Sequence, residues 1–192
     1  MIPLLVDGPQ LEPVSLVEAK GWLRVEGSDE DSLIQALIIA ARLTVESEIG
    51  LVLLAQNWRI IGDQWPPTET IPVRIGRVIS VAGGRVFPAA GAPQLLAAAE
   101  FEIVKGQEHD SIRPLLRPAP GRRRGGIEID VRLGFGEFAA QVPEPLRLAV
   151  RQLVAYWFEN RGDAAIVERG LPGPVRTMLK PFRSLRLGGL SA

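Results

Sequence analysis

Between Glu30 and Ile49 the sequence reads as a long helix that is apolar on more than one side. Leu33, Ile34, Leu37, Ile38, Ile39, Ala40, Ala41, Leu43, Val45 and Ile49 make a set wider than one stripe. A helix patterned in this way is covered on more than one face. Gly50 supplies its stop, since glycine adopts the left-handed geometry that closes a helix. Gly27-Ser28-Asp29-Glu30-Asp31 supplies a loop, a cap and negative charge at the positive helix end.

Composition bears on what covers that helix. Apolar residues are 46% of the 192, charged residues are 23%, and the mean hydropathy is +0.14. Either the core is large for the length or some apolar surface waits for another subunit. Lys plus Arg equals Asp plus Glu at 22 each, which argues against a wholesale coat for nucleic acid or an anionic membrane. The absence of cysteine excludes disulfides, thiolate metal sites and a thiol nucleophile. The N-terminus lacks a basic region and meets Asp7-Gly8-Pro9, so it is not expected to be a signal peptide. The Leu33–Val45 stretch carries Gln35 and Arg42 and is too short to span a bilayer. No membrane partner is expected, and the chain is expected to be made and kept in a cytoplasm.

Other helices announce themselves by caps and period. Ser15-Leu16-Val17-Glu18 is a capping box, so a short helix should run to about Leu23. Pro143 and Pro145 suit a helix start, followed by Leu146, Ala149, Val150, Leu153, Val154 and Trp157 at helical spacing and a stop at Asn160-Arg161-Gly162. Pro174 opens a short helix with Val175, Met178, Leu179 and Phe182 on one side. The middle of the chain carries strand signals. These are Gln56–Ile61, Arg77–Val81 and Arg85–Phe87 as a hairpin around Gly83-Gly84, Glu100–Val104, Ile112–Leu116, and the alternating Gly126–Leu133. The pattern predicts an α+β fold that is mainly helical, with a helical bundle built from the N- and C-terminal thirds and a small inserted antiparallel β section. One domain over 1–192 is expected, with 1–50 and 143–192 helical and 51–142 the β section with loops. Packing of the long helix against the Leu146–Trp157 helix is the expected main core.

Chemistry is sparse. His109 sits between Glu108 and Asp110 in a stretch that reads as a solvated loop, and adjacent residues rarely orient one another as a triad requires. No nucleophile elbow, dinucleotide fingerprint or Walker loop occurs, and Asp29-Glu30-Asp31 lacks calcium-loop spacing. No catalytic residue, metal or cofactor is assigned, and no enzyme is expected. Arg122-Arg123-Arg124 between glycines is a basic loop able to touch phosphates without reading sequence. It motivates the alternative of a nucleic-acid-binding accessory module for DNA packaging. Charge is also unevenly spread. Residues 1–50 hold nine acids and three bases, whereas 161–192 hold six bases and two acids. The two ends either pair inside one subunit or form opposed surfaces, and opposed surfaces give head-to-tail contacts that can close into rings.

An ordered set of segments resembles the head–tail connector (adaptor) proteins of tailed bacteriophages and gene transfer agents. The set is Pro13-Val14-Ser15-Leu16-Val17-Glu18-Ala19-Lys20, Leu23-Arg24-Val25 and Asp29-Glu30-Asp31, then Gln56-Asn57-Trp58-Arg59 and Trp65-Pro66. It continues with Val142–Arg147, Trp157–Arg161 and Leu171–Val175 through Pro181-Phe182-Arg183. The resemblance implies a structural virion protein made in the bacterial cytoplasm. It would form a ring, typically of twelve copies, beneath the portal, and join it to the stopper or tail terminator around a channel through which DNA passes without sequence-specific binding. The family's C-terminal segments suggest Val175, Met178, Leu179, Phe182, Arg183, Arg186 and Leu187 as portal-interface candidates. Asp29, Glu30, Asp31, Arg147 and Arg151 are subunit-interface candidates, and Arg122, Arg123 and Arg124 are DNA-channel or loop-contact candidates. The tail from Arg183 to Leu190 is expected to order on a partner.

Overall fold

A computed structural model describes residues 1–161 and 170–183 of the chain. It divides into two compact units, Met1–Leu11 with Leu51–Gln141, and Glu12–Gly50 with Val142–Ala192. Residues 1–11, expected in the helical part, therefore fold with the strands.

In the helical unit, α1 (Leu16–Leu23) starts at the expected capping box. The Glu18 N–H donates to the Ser15 hydroxyl at 3.2 Å, and the Ser15 N–H donates to the Glu18 carboxylate at 2.9 Å. α1 closes on Arg24, a left-handed residue with φ 57°, so that the Val25 N–H reaches the Lys20 carbonyl at 3.0 Å. α2 (Asp31–Ile49) ends at left-handed Gly50, as its sequence requires. Its first turn lacks a side-chain cap: Glu30 makes no cap bond, and Asp31 pairs with Lys20 at 2.6 Å. α3 (Glu144–Glu159) carries Pro145 in its first turn, and α4 (Gly173–Leu179) runs into a short 3-10 turn, Lys180–Phe182. α2 packs on α3, and α4 packs on both. Ile34, Ile38, Ala41, Val45 and Ile49 of α2 are buried, as are Leu146, Ala149, Val150, Leu153 and Val154 of α3. Each large side chain so covered contributes about 1.5–3 kcal/mol before chain entropy is counted.

The second unit is all β. β1 (Ile2–Asp7), β2 (Gln56–Gly62), β4 (Val78–Val86), β5 (Gln94–Ala97) and β8 (Ile127–Leu133) form one sheet in the order β1-β2-β8-β4-β5. β3 (Ile71–Val73), β6 (Phe101–Val104) and β7 (Asp110–Pro114) form another in the order β3-β7-β6, and every pairing is antiparallel. β8 is central because its alternation is the cleanest. Ile127, Ile129, Val131 and Leu133 are buried, while Glu128, Asp130 and Arg132 occupy the other face. On that face Arg59 meets Asp130 at 2.7 Å and Arg85 meets Glu128 at 3.2 Å, so cross-strand charges neutralise one another. The buried faces of both sheets share one cluster that includes Ile60, Val78, Val86, Ile112, Ile129 and Leu133.

This architecture corrects the expected fold class. The molecule is α+β but not mainly helical: among the described residues, eight strands in two antiparallel sheets stand beside four α-helices. The β part carries its own core, so the α2–α3 contact is not the single main one. The expected hairpin at Gly83-Gly84 is also absent. β4 runs unbroken through both glycines, with an irregularity between Val81 and Gly83. Their glycine character serves close packing instead: a Cβ on Gly84 would stand 2.8 Å from the Phe101 ring. β1, β3 and β5 carry too few alternating residues to be read as strands and form by pairing with longer neighbours.

Candidate functional site

The expected polar loop around His109 is in part a structural clamp. Asp110 is completely buried at the start of β7. Its carboxylate accepts from the Val78 N–H at 2.8 Å, from Lys105 Nζ at 3.0 Å, from Arg77 at 3.1 Å and from the Gly106 N–H at 3.3 Å. Burial pushes its pKa up, but the bonds from Lys105, Val78 and Gly106 outweigh burial and hold it below the ordinary Asp value. Asp110 thus ties β4 of one sheet to β7 of the other, and its acceptor capacity is spent on that role. Among the described residues, no group of His, Asp and Glu is placed to hold a metal ion, and no helix is long and apolar enough to cross a membrane.

Arg122, Arg123 and Arg124 are all exposed, as a phosphate-touching loop requires. The loop is built: the Arg122 guanidinium lies 4.1 Å from the centre of the Phe87 ring. The Phe87 carbonyl accepts from the Gly121 N–H at 2.9 Å, and Asp63 accepts from the Gly125 N–H at 2.7 Å.

The C-terminal candidates divide by burial. Val175 and Leu179 are fully buried in the chain's own helical unit, Met178 and Phe182 are half-buried, and Arg183 is exposed and paired with Glu48. Arg186 and Leu187 lie outside the described residues. The charged subunit-interface candidates mostly have partners within the chain. Glu30 pairs with Arg161 at 2.9 Å and Asp31 with Lys20. Arg147 donates to the Pro13 carbonyl at 3.0 Å and to Glu144 at 2.8 Å, and it also pairs with Glu18. Arg151 pairs with Glu144 and lies 5.6 Å from the centre of the Trp22 ring. The bond from Arg151 outweighs burial and lowers the pKa of Glu144. Asp29 stays exposed. With Arg161–Glu30 and Arg183–Glu48, the basic end and the acidic first quarter meet inside one subunit.

Apolar surface also lies open. All six residues of β1 are exposed, with Ile2 at 73%. Pro3 and an irregularity between Leu5 and Asp7 blunt this edge against strand addition. A groove of about 460 Å³ lies beside it, lined by Met1, Pro3, Ile60, Ile71, Val73 and Ile75 among others. In the helical unit, Ile39 and Leu43 of α2 are exposed. The signal for β1 was present as a run of aliphatic residues from Met1 to Val6, but no period marked it as a strand.

The comparisons with known proteins are with components of phage-like particles. Residues 13–83, from ahead of the α1 cap into β4, match the family described as Phage gp6-like head-tail connector protein. A chain in the neck of an empty gene transfer agent particle, computed with C6 symmetry, superposes with a TM-score of 0.81 at 25% identity. That match covers 98% of this chain and 99% of the other. Over residues 13–83 this chain is similar to the head–tail connectors, and over nearly its whole length to a chain of a gene transfer agent neck. A chain of the native gene transfer agent virion matches this chain with a TM-score of 0.80, and one in the native neck computed with C12 symmetry with 0.74. Both are 25% identical over the same shares of the two chains. No curated protein matches it.

Proposed function

We propose that this chain is a head–tail connector, a ring subunit of a particle neck placed below the portal and joining it to the stopper or tail around a channel for DNA. The observation that carries this reading is the end-to-end similarity to a chain of a gene transfer agent neck, across both units. A neck computed with C12 symmetry favours twelve copies. The role is structural, and no reaction is assigned. The C-terminal segment engages the portal, with Met178, Phe182 and Arg183 at its root and the residues beyond, Arg186 and Leu187 included, making the contact. Val175 and Leu179 serve this only by anchoring α4, because they are buried. Arg122, Arg123 and Arg124 supply exposed cations for phosphate contact without base readout.

The test is a particle map together with a truncation. A map should show a ring of this chain between portal and tail. Removal of residues 184–192 leaves α4 and its buried side chains in place, so the shortened chain should keep its thermal transition. It should bind portal at least about tenfold more weakly, a loss of roughly 1.4 kcal/mol. Full portal affinity in the truncated chain would show that the contact lies elsewhere.

A further inference from the structure

The outer side of α2 repeats the design of its inner side. The buried stripe is Ile34, Ile38, Ala41, Val45 and Ile49. The exposed stripe includes Ser32, Ala36, Ile39, Leu43 and Ser47, the same spacing displaced by two residues. Two residues along a helix is a turn of about 200°, so the second stripe lies opposite the first. Leu43 is 54% and Ile39 is 44% exposed. Gln35 is the other exposed residue within this span, so no charged side chain is exposed from Ser32 to Ser47, over about 23 Å of helix. A helix face made for water carries charged and polar groups. This one carries small residues toward its ends, where a second backbone can come close, and two large aliphatic residues in its middle.

We infer that this outer stripe of α2 is the lateral contact of the ring, covered by a second copy of the same chain. The inference rests on the ring proposed above. In a ring every copy buries the same lateral surfaces, and contacts kept for the life of an assembly are apolar and poor in charge. Charge is a weak candidate for the lateral contact, because Glu30, Asp31 and Glu48 pair within the chain with Arg161, Lys20 and Arg183. DNA does not fit the stripe, since phosphate contact needs cations and the stripe has none.

The chain has no cysteine, so a single introduced thiol reports one position. Full-length Leu43→Cys, labelled with a short photocrosslinker and assembled into particles, should yield an adduct of two chains of 20.9 kDa each. Its unlabelled thiol should react with maleimide at least about tenfold more slowly in the neck than in the free chain, as burial in a contact implies. The double variant Ile39→Lys/Leu43→Lys should keep the thermal transition of the parent and be missing from necks. A neck that contains the Leu43→Cys chain but leaves the introduced thiol fully reactive, or crosslinks it to the portal or a tail protein, overturns this contact and leaves the ring standing. Normal occupancy of necks by the double variant does the same. A neck without the parent chain overturns the ring and this contact together. If the double variant fails to fold, the crosslink and the protection of the introduced thiol decide.

Discussion

Each unit of the chain buries one charged side chain among the described residues, and the two have opposite sign. In the helical unit it is Arg42, whose Nε donates to Glu12 at 2.7 Å and whose Nη1 donates to Glu46 at 3.0 Å. In the β unit it is Asp110, fully buried and held by two cations and two main-chain N–H groups. Burial opposes the charge of Arg42, yet its bonds to the Glu12 and Glu46 carboxylates raise its pKa above the ordinary value. The clasps therefore differ in kind. Arg42 joins two carboxylates that stand far apart in sequence, and it stays charged at any pH a protein survives. Asp110 joins backbone to backbone, and acid can neutralise it. The helical unit is locked by side-chain pairing, whereas the β unit is locked through a group that titrates.

The strongest challenge to this contrast is Arg42→Met. The substitution keeps the apolar stem but removes the guanidinium that joins Glu12 to Glu46. A loss of about 3 kcal/mol is expected, from two lost charge-assisted hydrogen bonds of roughly 1.5–3 kcal/mol each in a partly exposed network. Urea denaturation checks it, with Trp22 and Trp157 as probes native to the helical unit. A loss below about 1 kcal/mol would make Arg42 an ordinary surface pair and remove its half of the comparison.

Asp110→Asn comes next, at about 1–3 kcal/mol, since the amide keeps the shape and loses charge-assisted acceptor bonds. Acid separates it from a mere packing change. The folded pKa lies below the unfolded Asp value, so the stabilisation is complete above the unfolded value and is lost as pH falls through the folded one. The parent should therefore lose stability in the β unit, followed by Trp58 and Trp65, as pH falls below about 4, while Asp110→Asn should show less of that loss. Salt should change this little, because the group is buried. An equal acid sensitivity in parent and variant would mean that Asp110 is not the titrating clasp.

The two units also differ in how much of them could be read from sequence. Helix signals are local. The Ser15–Glu18 box, Pro145 and Gly50 fix three helix ends with no knowledge of the rest of the chain, and those ends stand within a residue of expectation. Strand identity depends on partners. β8 alternates so clearly that it is legible alone, but β3 is a strand only because Ile71 and Val73 pair with Ile112 and Asp110 of β7. Gly83-Gly84 misleads for the same reason, since two glycines mark a turn locally and a close crossing only when Phe101 is in place. Asp110 looked solvated because its neighbours Glu108 and His109 are polar, and its donors Arg77 and Val78 stand just before and at the start of β4, more than 30 residues away. The polarised charge was legible, but its meaning was not, because Arg161–Glu30 and Arg183–Glu48 are tertiary pairs. The second stripe of α2 was present in the sequence as an excess of apolar positions, and only the fold shows which of them stay open.

The smallest expected effect concerns the outside of the β unit. Burial there runs against residue type at both extremes, with a carboxylate inside and the aliphatic residues of β1 outside. Ile2 and Leu4 lie on the same face as Ile61 and Arg59 of β2, according to the strand register, and each is more than half exposed. Their side chains therefore contribute little to the free chain, and β1 is held by its backbone pairing and by the face that Pro3 and Leu5 share with Ile60 and Trp58. Replacing both by lysine, Ile2→Lys/Leu4→Lys, should change stability by less than about 0.5 kcal/mol, the ordinary scale of a surface substitution. It should also raise solubility, because it puts charge on an edge whose other charged side chain in the strand is Asp7 at its end. The measurement is a urea midpoint for the free chain with Trp58, which pairs with Leu5, as the probe. A loss beyond about 1 kcal/mol would mean that these residues are packed in the single chain. Silence in the free chain combined with a loss of particle incorporation would instead make β1 a surface used only in the assembly, as α2 is proposed to be.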